Sequence, residues 1–593
     1  MNVLGASVRE DTATFAVWAP RCRSVDVAIE GRRREPMAQG ADGVFTLTLG
    51  DVPPGTRYKY RLDGERFRPD PVSRWQPEGV HGASTVVDPQ RFLWTDADFR
   101  GHAPGDLVLY ELHVGSFTPS GTFEAIIQHL PALADLGVTA IELMPVAEFP
   151  GSRNWGYDGV HLYAPQSTYG GPRGLRRLVD ACHAAGLSVV LDVVYNHLGP
   201  EGNYLAEYGP YFTDRDETPW GPAVNFDGEG SPGVRRHVVE NGRVWVSEFH
   251  VDGFRLDAVH AIHDTSPVHI LTEFAQAVRE EAARAGRRVH VFAESHDNDR
   301  RLVLGTAEGG LGLDAIWSDD FHHALHHRLT GETASYYGDF TGDHHLPRAI
   351  AEGFAFQGEP SRYWGRQRGT ASRDLPADRF VIFVQNHDQV GNRPQGERLG
   401  SLVPFGAVKL AVGLLFVAPA VPLLFMGEEY GDTAPFLFFT SFLDRELAER
   451  ARRGRLQEFG RFGWRGTIPD PGAPATFVAS RLNHALASAP RHRALREYYR
   501  QWLALRRAHP ALGARHKDLA RATLDDAVLT VTRATPTGEE IRLIANVGAE
   551  PRAWSLPDTA WRLLLDSDAT VFGGTGAATS LAAYQLLLYE RLQ

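Results

Sequence analysis

The sequence predicts an α/β protein built on a (β/α)8 TIM barrel, with an N-terminal β-sandwich domain and a C-terminal all-β domain. Three observations predict this fold. From Leu107 onward, eight short apolar runs alternate with helix-like segments, the pattern of a parallel sheet. The segments on either side carry strands separated by turns that contain Gly and Pro. With 593 residues, the chain is also too long for a single hydrophobic core.

Residues 1–90 are expected to form the β-sandwich, a carbohydrate-binding-like domain. Their apolar runs are short, and Gly and Pro punctuate the intervals between them. A proline-rich, polar segment at the end of this part suits a linker that packs along a larger domain. The four predicted strands are ATFAVWAP, SVDVAIE, GVFTLTLG and TRYKYRLDG.

Residues 91–510 are expected to form the barrel, and nearly all of its eight predicted strands end in polar residues. In this fold the active site lies at the carboxyl ends of the strands, so the recurrence predicts one shared site at the mouth. An insertion at about 198–252, with a helix around Val234 to Phe249, is expected to wall one side of the mouth. The strands are LVLYELHV, TAIELMPV, SVVLDVVYNH, GFRLDAV, VHVFAES, AIWSDDF, FVIFVQNHD and PLLFMGEE.

Residues 511–593 are expected to form an antiparallel β domain, from the runs AVLTVTRATP, EEIRLIANVG and YQLLLYERL. The longest apolar run, Leu410 to Met426, is nearly long enough to span a membrane. Because it contains Pro419 and Pro422, it is interpreted as a buried helix, a turn and a buried strand.

Composition narrows the class of partner. The net charge of -12 argues against binding to a phosphate backbone, and neutral sugars fit such a surface. Cys22 and Cys182 are too few for a disulfide framework or a cysteine metal site. The N-terminus, MNVLGASVRE, lacks the pattern of a secretory signal. We therefore expect a cytoplasmic protein that binds neither nucleic acid nor membrane.

The fourth predicted strand carries a charge pair on one face. Arg255 and Asp257 are two positions apart, so their side chains point the same way. An isolated pair of this kind is more often a structural ion pair. Here the pair lies where the fold places its chemistry, beside Glu294 on strand five and Asp388 on strand seven.

These carboxylates suit the hydrolysis of a glycosidic bond with retention of configuration. That reaction needs two carboxyl groups about 5 to 5.5 Å apart, one as nucleophile and one as proton donor. Arg255 would keep Asp257 ionised and oriented, as a nucleophile requires. Glu294 would need the raised pKa of a general acid, which an apolar setting supplies.

Four ordered motifs resemble those of the α-amylase superfamily of glycoside hydrolases: DVVYNH, GFRLDAVHA, FAES and QNHDQVGN. The resemblance implies that Asp257 is the nucleophile, that Glu294 is the acid/base and that Asp388 grips ring hydroxyls. It also implies that His197 and His387 bind hydroxyls. Further substrate-binding candidates within the motifs are Asp192, Arg255, His260 and Gln389.

Finer motifs over most of the chain resemble the maltooligosyltrehalose trehalohydrolases, among them GSRNWGYDGVHLYAPQSTYGGP and TPWGPAVNFDGEGSPGV. The resemblance implies hydrolysis of the α-1,4 bond next to a terminal trehalose, with maltooligosyl trehalose and α-1,4-glucans as ligands and functional pairing with a maltooligosyl trehalose synthase. It makes Tyr157 the aromatic platform at the cleavage point. Trp220 is a further sugar-stacking candidate. One departure is Ser441, where the family pattern has an aspartate.

Two other functional classes remain as alternatives. A glycogen branching or debranching enzyme shares the sandwich, the barrel and the carboxylates, but a branching enzyme passes the glycosyl group to a glucan hydroxyl and a debranching enzyme cuts α-1,6 bonds. A non-catalytic, amylase-like binding or chaperone subunit would lack part of the carboxylate set, and all three carboxylates are present here.

A metal site is the remaining alternative. In FHHALHHRLTG, His322 and His326, and likewise His323 and His327, are spaced four residues apart, which can chelate zinc. No obvious carboxylate or cysteine completes such a site, and the oxygen ligands that calcium prefers are not clustered in the insertion. We expect no metal and no cofactor.

Overall fold

Eight parallel strands close into a barrel in the computed structural model, in the order in which they occur along the chain. The structure describes residues 4–32, 34–218, 221–461, 467–554, 560–576 and 580–592. All eight predicted runs contain a barrel strand, so the predicted fold class is confirmed. The strands are β1 (Leu109–Leu112), β2 (Ala140–Leu143), β3 (Ser188–Val193), β4 (Gly253–Leu256), β5 (His290–Glu294), β6 (Ala315–Trp317), β7 (Phe380–Phe383) and β8 (Val421–Phe425).

The barrel interior has an apolar layer and, further along the strands, a polar one. Leu109 and Phe292 belong to an apolar cluster formed by the strands of the barrel. Side chains two positions apart on a strand share a face, so Glu111 and Glu294 point to the same side as these residues. These polar side chains are closer to the carboxyl ends of the strands, so the polar layer lies on the side of the mouth, as expected for this fold.

Helices surround the barrel. The helix Phe405–Val417 is apolar apart from Lys409 and packs against the helix Pro490–Ala508, which explains the long apolar run before β8. Within the described residues, no helix combines the length and apolar character needed to cross a bilayer. The other α-helices of more than four residues in the described chain are Phe123–Ile127, Leu130–Leu136, Gly171–Ala184, Ser231–Phe249, Ile270–Arg284, Asp319–Thr330, His345–Glu352, His387–Gly391, Arg445–Arg461 and Pro474–Ala479.

Two antiparallel sheets form the N-terminal sandwich. Phe15 of one sheet and Tyr58 of the other are in edge contact, with ring centroids 4.9 Å apart. Trp18 contacts Tyr211 at 5.3 Å, so the sandwich packs on the insertion that follows β3. The strands are Gly5–Arg9, Thr12–Trp18, Val44–Leu49 and Ala38–Gln39 in one sheet, and Glu35–Pro36, Val25–Ile29, Arg57–Leu62, Arg66–Arg68 and Ser84–Thr85 in the other.

A five-stranded antiparallel sheet follows the barrel. Arg533 is buried and donates a hydrogen bond of 3.0 Å to the carbonyl of Val417, which ties the sheet to the end of a barrel helix. The strands, in spatial order, are Ala520–Asp525, Val528–Ala534, Glu540–Asn546, Leu586–Arg591 and Trp561–Asp566. The exact boundaries at 90/91 and 510/511 stay predictions.

Candidate active site

Arg255 of β4 lies at the centre of the polar layer. It is fully buried, and its guanidinium lies 4.6 Å from the centroid of the Trp317 ring. Nη1 donates to Asp257 at 2.6 Å and to both oxygens of Asp192 at 3.0 Å. A buried cation is strongly destabilising unless it is paired, and these two carboxyl groups supply the pairing. The predicted pair of charges on one strand face is therefore present.

Asp257 follows β4 directly and is held from two sides. Its Oδ1 accepts from Arg255, and its Oδ2 accepts from the amide of Asn196 at 2.8 Å. Burial opposes ionisation, but Arg255, His197 and the hydrogen bond from Asn196 together outweigh it and lower the pKa of Asp257. The carboxylate is thus charged and fixed in direction, as a nucleophile must be.

A strained turn brings Asp257 and Glu294 together. Ala258 has φ 42° and ψ 51°, in the left-handed region that non-glycine residues rarely adopt. In this conformation its backbone N–H donates to Oε2 of Glu294 at 2.6 Å. Strain of this kind costs about 1 to 3 kcal/mol and occurs where the surrounding structure enforces it, commonly at active sites.

Glu294, at the end of β5, has the properties of a proton donor. Burial raises the pKa of Glu294, and the nearby carboxylate of Asp257 adds to this effect. Arg255 approaches it less closely than it approaches Asp257, with Nη2 3.7 Å from Oε2. The pKa values of the two carboxyl groups are therefore shifted in opposite directions.

Asp388 lies on the open side of this group. Its side chain is 43% exposed and its Oδ2 is 4.0 Å from Nη2 of Arg255. It belongs to the first turn of the helix His387–Gly391, and its backbone N–H is held by the Asn386 side chain at 2.9 Å. A carboxylate in this position can accept hydrogen bonds from a ligand in the mouth.

His387 and Tyr157 link these carboxylates to β1. The hydroxyl of Tyr157 donates to Asp192 at 2.6 Å and accepts from Nε2 of His387 at 2.7 Å. Nδ1 of His387 donates to Glu111, which also accepts from the His387 backbone N–H at 3.0 Å. Burial disfavours the imidazolium, yet Asp388 and Glu111 outweigh it and raise the pKa of His387 to about 9.

Most of the other predicted substrate-binding residues lie around the same mouth. Nε2 of His197 is 3.0 Å from the carbonyl oxygen of Tyr157, and Gln389 donates to Asp319 at 3.1 Å. The ring of His260 contacts that of His296, with centroids 4.0 Å apart. Trp220 lies outside the described residues.

Asp319 is a further carboxyl group at the mouth, at the end of the sixth predicted strand. Burial, together with Glu294 and Asp388, raises the pKa of Asp319 to about 8. Its neighbour Asp320 instead points inward, where it accepts from Arg368 at 2.6 Å. Both aspartates were expected at the end of this strand. Because they are successive residues of the helix Asp319–Thr330, their side chains point in different directions and meet different partners.

Histidines of the helix Asp319–Thr330 form hydrogen bonds with other parts of the chain. Nδ1 of His322 donates to the carbonyl of Val384 at 2.6 Å, and Nε2 of His326 contacts Glu332 at 2.9 Å. In the part of the chain that the structure describes, no group of three or more His, Cys, Asp or Glu side chains is arranged to hold a metal ion.

Ser441, where the sequence departs from the family pattern, supports the loop that carries Tyr157. Its hydroxyl oxygen accepts from the backbone N–H groups of Ser152 and Arg153, each at 2.9 Å. One hydroxyl oxygen therefore accepts both hydrogen bonds, at a position where an aspartate would offer two carboxylate oxygens.

Two family models match the chain. The alpha amylase catalytic domain matches residues 86–220, which contain β1 to β3. Carbohydrate-binding module 48, the isoamylase N-terminal domain, matches residues 3–89, which contain the sandwich.

Individual proteins are similar over most of their length. The malto-oligosyltrehalose trehalohydrolase of Saccharolobus solfataricus is 48% identical over 81% of this chain and 83% of that protein. The enzyme of the same name from Rhizobium sp. is 43% identical over 94% of both chains. Among solved structures, a protein of Salmonella typhimurium assigned as an alpha amylase has a TM-score of 0.91 and 40% identity, with full coverage of both chains.

Proposed function

The chain belongs to the malto-oligosyltrehalose trehalohydrolases, glycosidases of the α-amylase superfamily, and we propose that it cleaves the α-1,4 bond next to the terminal trehalose of maltooligosyl trehalose. The products are trehalose and a maltooligosaccharide. The observation that carries the residue assignment is the unequal sharing of Arg255, which contacts Asp257 at 2.6 Å and Glu294 at 3.7 Å.

The proposed reaction is a double displacement. The carboxylate of Asp257 attacks the anomeric carbon while Glu294 gives its proton to the departing glycosidic oxygen, which releases trehalose. Water then attacks the anomeric carbon, Glu294 takes a proton from it, and the bond to Asp257 breaks. The sugar keeps its configuration because each of the two displacements inverts it.

The remaining mouth residues are proposed to bind and orient the sugar ring at the cleavage point. Asp388 offers an acceptor for ring hydroxyls. His387 is proposed to share its Nε2–H, which donates to Tyr157, with a ring hydroxyl. Tyr157 is proposed as the platform beneath the ring, stacked on His387 with centroids 5.4 Å apart. His197, His260, Gln389 and Trp220 are proposed to complete the sugar contacts.

The cellular setting follows from the same proposal. We infer a cytoplasmic enzyme that takes its substrate from a maltooligosyl trehalose synthase and also binds α-1,4-glucans. We propose the domain boundaries at 90/91 and 510/511, each in a segment between sheets.

Side-by-side digestion tests the proposal. Maltopentaosyl trehalose and a linear maltooligosaccharide with the same number of glucose units are incubated with the enzyme, and the products are separated by chromatography. Rapid release of trehalose from the first is expected, and the freed reducing end of the other product should first appear as the α anomer. Cleavage or rearrangement of the plain glucan without release of trehalose would instead favour a branching or debranching activity.

A further inference from the structure

A second cleft lies beside the mouth, between the segment that follows β1 and the helix Pro474–Ala479. Its volume is about 350 Å³. Small-molecule sites run from about 300 to 1,000 Å³, so the cleft is large enough for a small ligand. It also includes Ser152 and Arg153, which directly precede the loop that carries Tyr157.

The lining of the cleft is cationic. Arg153 and Arg481 both face it, and no carboxylate lines it among the described residues. The Nε atoms of both arginines are buried and have no hydrogen-bond partner within the part of the chain that the structure describes. Because no carboxylate of the lining neutralises either guanidinium, both groups are suited to an anion from outside the chain.

Contacts within the chain restrain the side chain of Arg481 and the backbone of Arg153. The guanidinium of Arg481 lies 5.0 Å from the centroid of the Phe477 ring. The backbone N–H of Arg153 is fixed by the hydroxyl of Ser441 at 2.9 Å. The hydroxyl groups of Ser120 and Thr168 add neutral polar groups to the lining. Anchored donors lose less freedom when they bind a ligand.

A larger cleft elsewhere shows a different charge arrangement. It has a volume of about 530 Å³ and lies between the helix His345–Glu352 and the strand Ala520–Asp525. Two of its arginines form ion pairs within the chain, because Arg348 and Arg373 lie 3.7 and 3.6 Å from the carboxylate of Glu352. Unmatched guanidinium groups therefore distinguish the cleft beside the mouth.

We propose that the cleft of Arg153 and Arg481 binds a phosphate group, either as inorganic phosphate or on a small sugar. Two guanidinium groups can donate several charge-assisted hydrogen bonds to a phosphate, and such bonds are stronger than those between neutral groups. The hydroxyl groups of Ser120, Ser152 and Thr168 can contact the sugar part. The site is separate from the carboxylates around Arg255.

Isothermal titration of the full chain tests this proposal. The probes are inorganic phosphate, glucose 6-phosphate and, as an uncharged control, maltotriose. Binding of at least one phosphate probe is expected, and R153Q and R481Q should each weaken it by about tenfold or more. The matched control is R521Q, which removes an arginine from the larger cleft and should leave phosphate binding unchanged.

The pattern of binding identifies the ligand. Equal binding of both phosphate probes means that the phosphate alone is recognised, and preference for glucose 6-phosphate adds a sugar contact. The proposal is overturned if neither phosphate probe binds. It is equally overturned if R481Q, folded as judged by circular dichroism, binds phosphate like the unmodified chain, or if maltotriose binds there in its place.

Discussion

At the scale of single residues, two neighbouring carboxyl groups beside one guanidinium have opposite pKa shifts. The electrostatic interaction of Arg255 weakens with distance, and it lies 2.6 Å from Asp257 but 3.7 Å from Glu294. Burial would raise both pKa values. At Asp257 the attraction of Arg255, together with His197 and the hydrogen bond from Asn196, outweighs burial, whereas at Glu294 burial prevails. The opposite shifts support the proposed roles of Asp257 as nucleophile and Glu294 as proton donor.

Two variants separate these tasks. Glu294→Gln should lose activity on maltooligosyl trehalose but keep much of the first step on α-maltosyl fluoride, because fluoride leaves without a proton. Asp257→Asn should be inactive on both substrates, with a loss of at least about 10⁴-fold in kcat. Release of fluoride and of trehalose is measured for each variant. Equal loss on both substrates in the glutamine variant would refute the acid/base assignment.

The pH profile belongs to the same test. Since the pKa of Glu294 is raised, the unmodified enzyme should lose activity as pH rises through that pKa, when the donor loses its proton. The lowered pKa of Asp257 sets the acidic limb, where activity falls as the nucleophile is protonated. The alkaline limb should be absent when Glu294→Gln acts on α-maltosyl fluoride.

Glu111 is expected to act as a positioning residue. Because it accepts from both the ring and the backbone N–H of His387, Glu111→Gln should lower the pKa of His387 from about 9. We expect KM to rise by about tenfold, and by more at alkaline pH, where the imidazolium is lost. Steady-state kinetics at several pH values measure this change in KM.

The matched control is Glu142→Gln. Glu142 pairs with Glu111 in the register of β1 and β2 and is fully buried, and its two carboxyl oxygens have no partner among the described residues. Burial raises the pKa of Glu142 well above its usual range, so glutamine replaces an already neutral group. If both variants changed KM alike, the role assigned to Glu111 would be wrong.

At the scale of elements, the helix Asp319–Thr330 shows how spacing alone misleads. Its histidines have the separation of a zinc site, but tertiary contacts use them in packing and hydrogen bonds. His323 contacts Tyr336 at 4.4 Å and Phe340 at 5.0 Å, and its Nδ1 has no hydrogen-bond partner within the described chain. Burial lowers its pKa well below the usual range, so it is neutral in the folded protein.

This helix predicts acid sensitivity. A neutral buried histidine takes up a proton on unfolding below its ordinary pKa of about 6.5, so the free energy of unfolding falls as pH decreases by about 1 kcal/mol per pH unit for each such group. His323→Phe removes one group and should make stability less dependent on pH below about 6.5. Urea unfolding at several pH values measures this. An unchanged slope would show that His323 does not contribute.

Secondary structure could be predicted where its hydrophobic pattern was complete. The barrel strands are apolar runs with polar ends, and all eight could be predicted. The strands Gly5–Arg9 and Trp561–Asp566 were missed because each lies at a sheet edge, where exposure weakens the alternation.

At the scale of the whole molecule, two buried arginines, one from the helix Pro490–Ala508 and one from the C-terminal sheet, donate to backbone carbonyls at and just after the end of the helix Phe405–Val417. Arg506 donates to the carbonyls of Phe416 and Ala418 at 2.9 and 2.8 Å, and Arg533 to that of Val417 at 3.0 Å. The end of a helix leaves such carbonyls without partners. The sheet is thus fastened to the helix that precedes β8.

Removing this link should weaken the whole fold without changing the chemistry. Arg533→Met leaves buried carbonyls unpaired and should reduce the free energy of unfolding by about 2 to 4 kcal/mol. Denaturant unfolding and kcat are measured together. Arg521→Met, on the outer strand of the same sheet, is the control and should be nearly neutral. A large loss of kcat in Arg533→Met at full stability would contradict a purely structural role.

The sequence by itself determined the order of barrel strands and the positions of Asp257, Glu294 and Asp388, because alternation and strand ends are local properties of the chain. Only the tertiary structure decided which partners these groups meet. Glu111 and His387 are 276 positions apart, and Arg153 shares a cleft with Arg481. Such pairings form only when barrel closure and loop packing bring distant segments together. A local sequence pattern cannot predict which of these segments will meet.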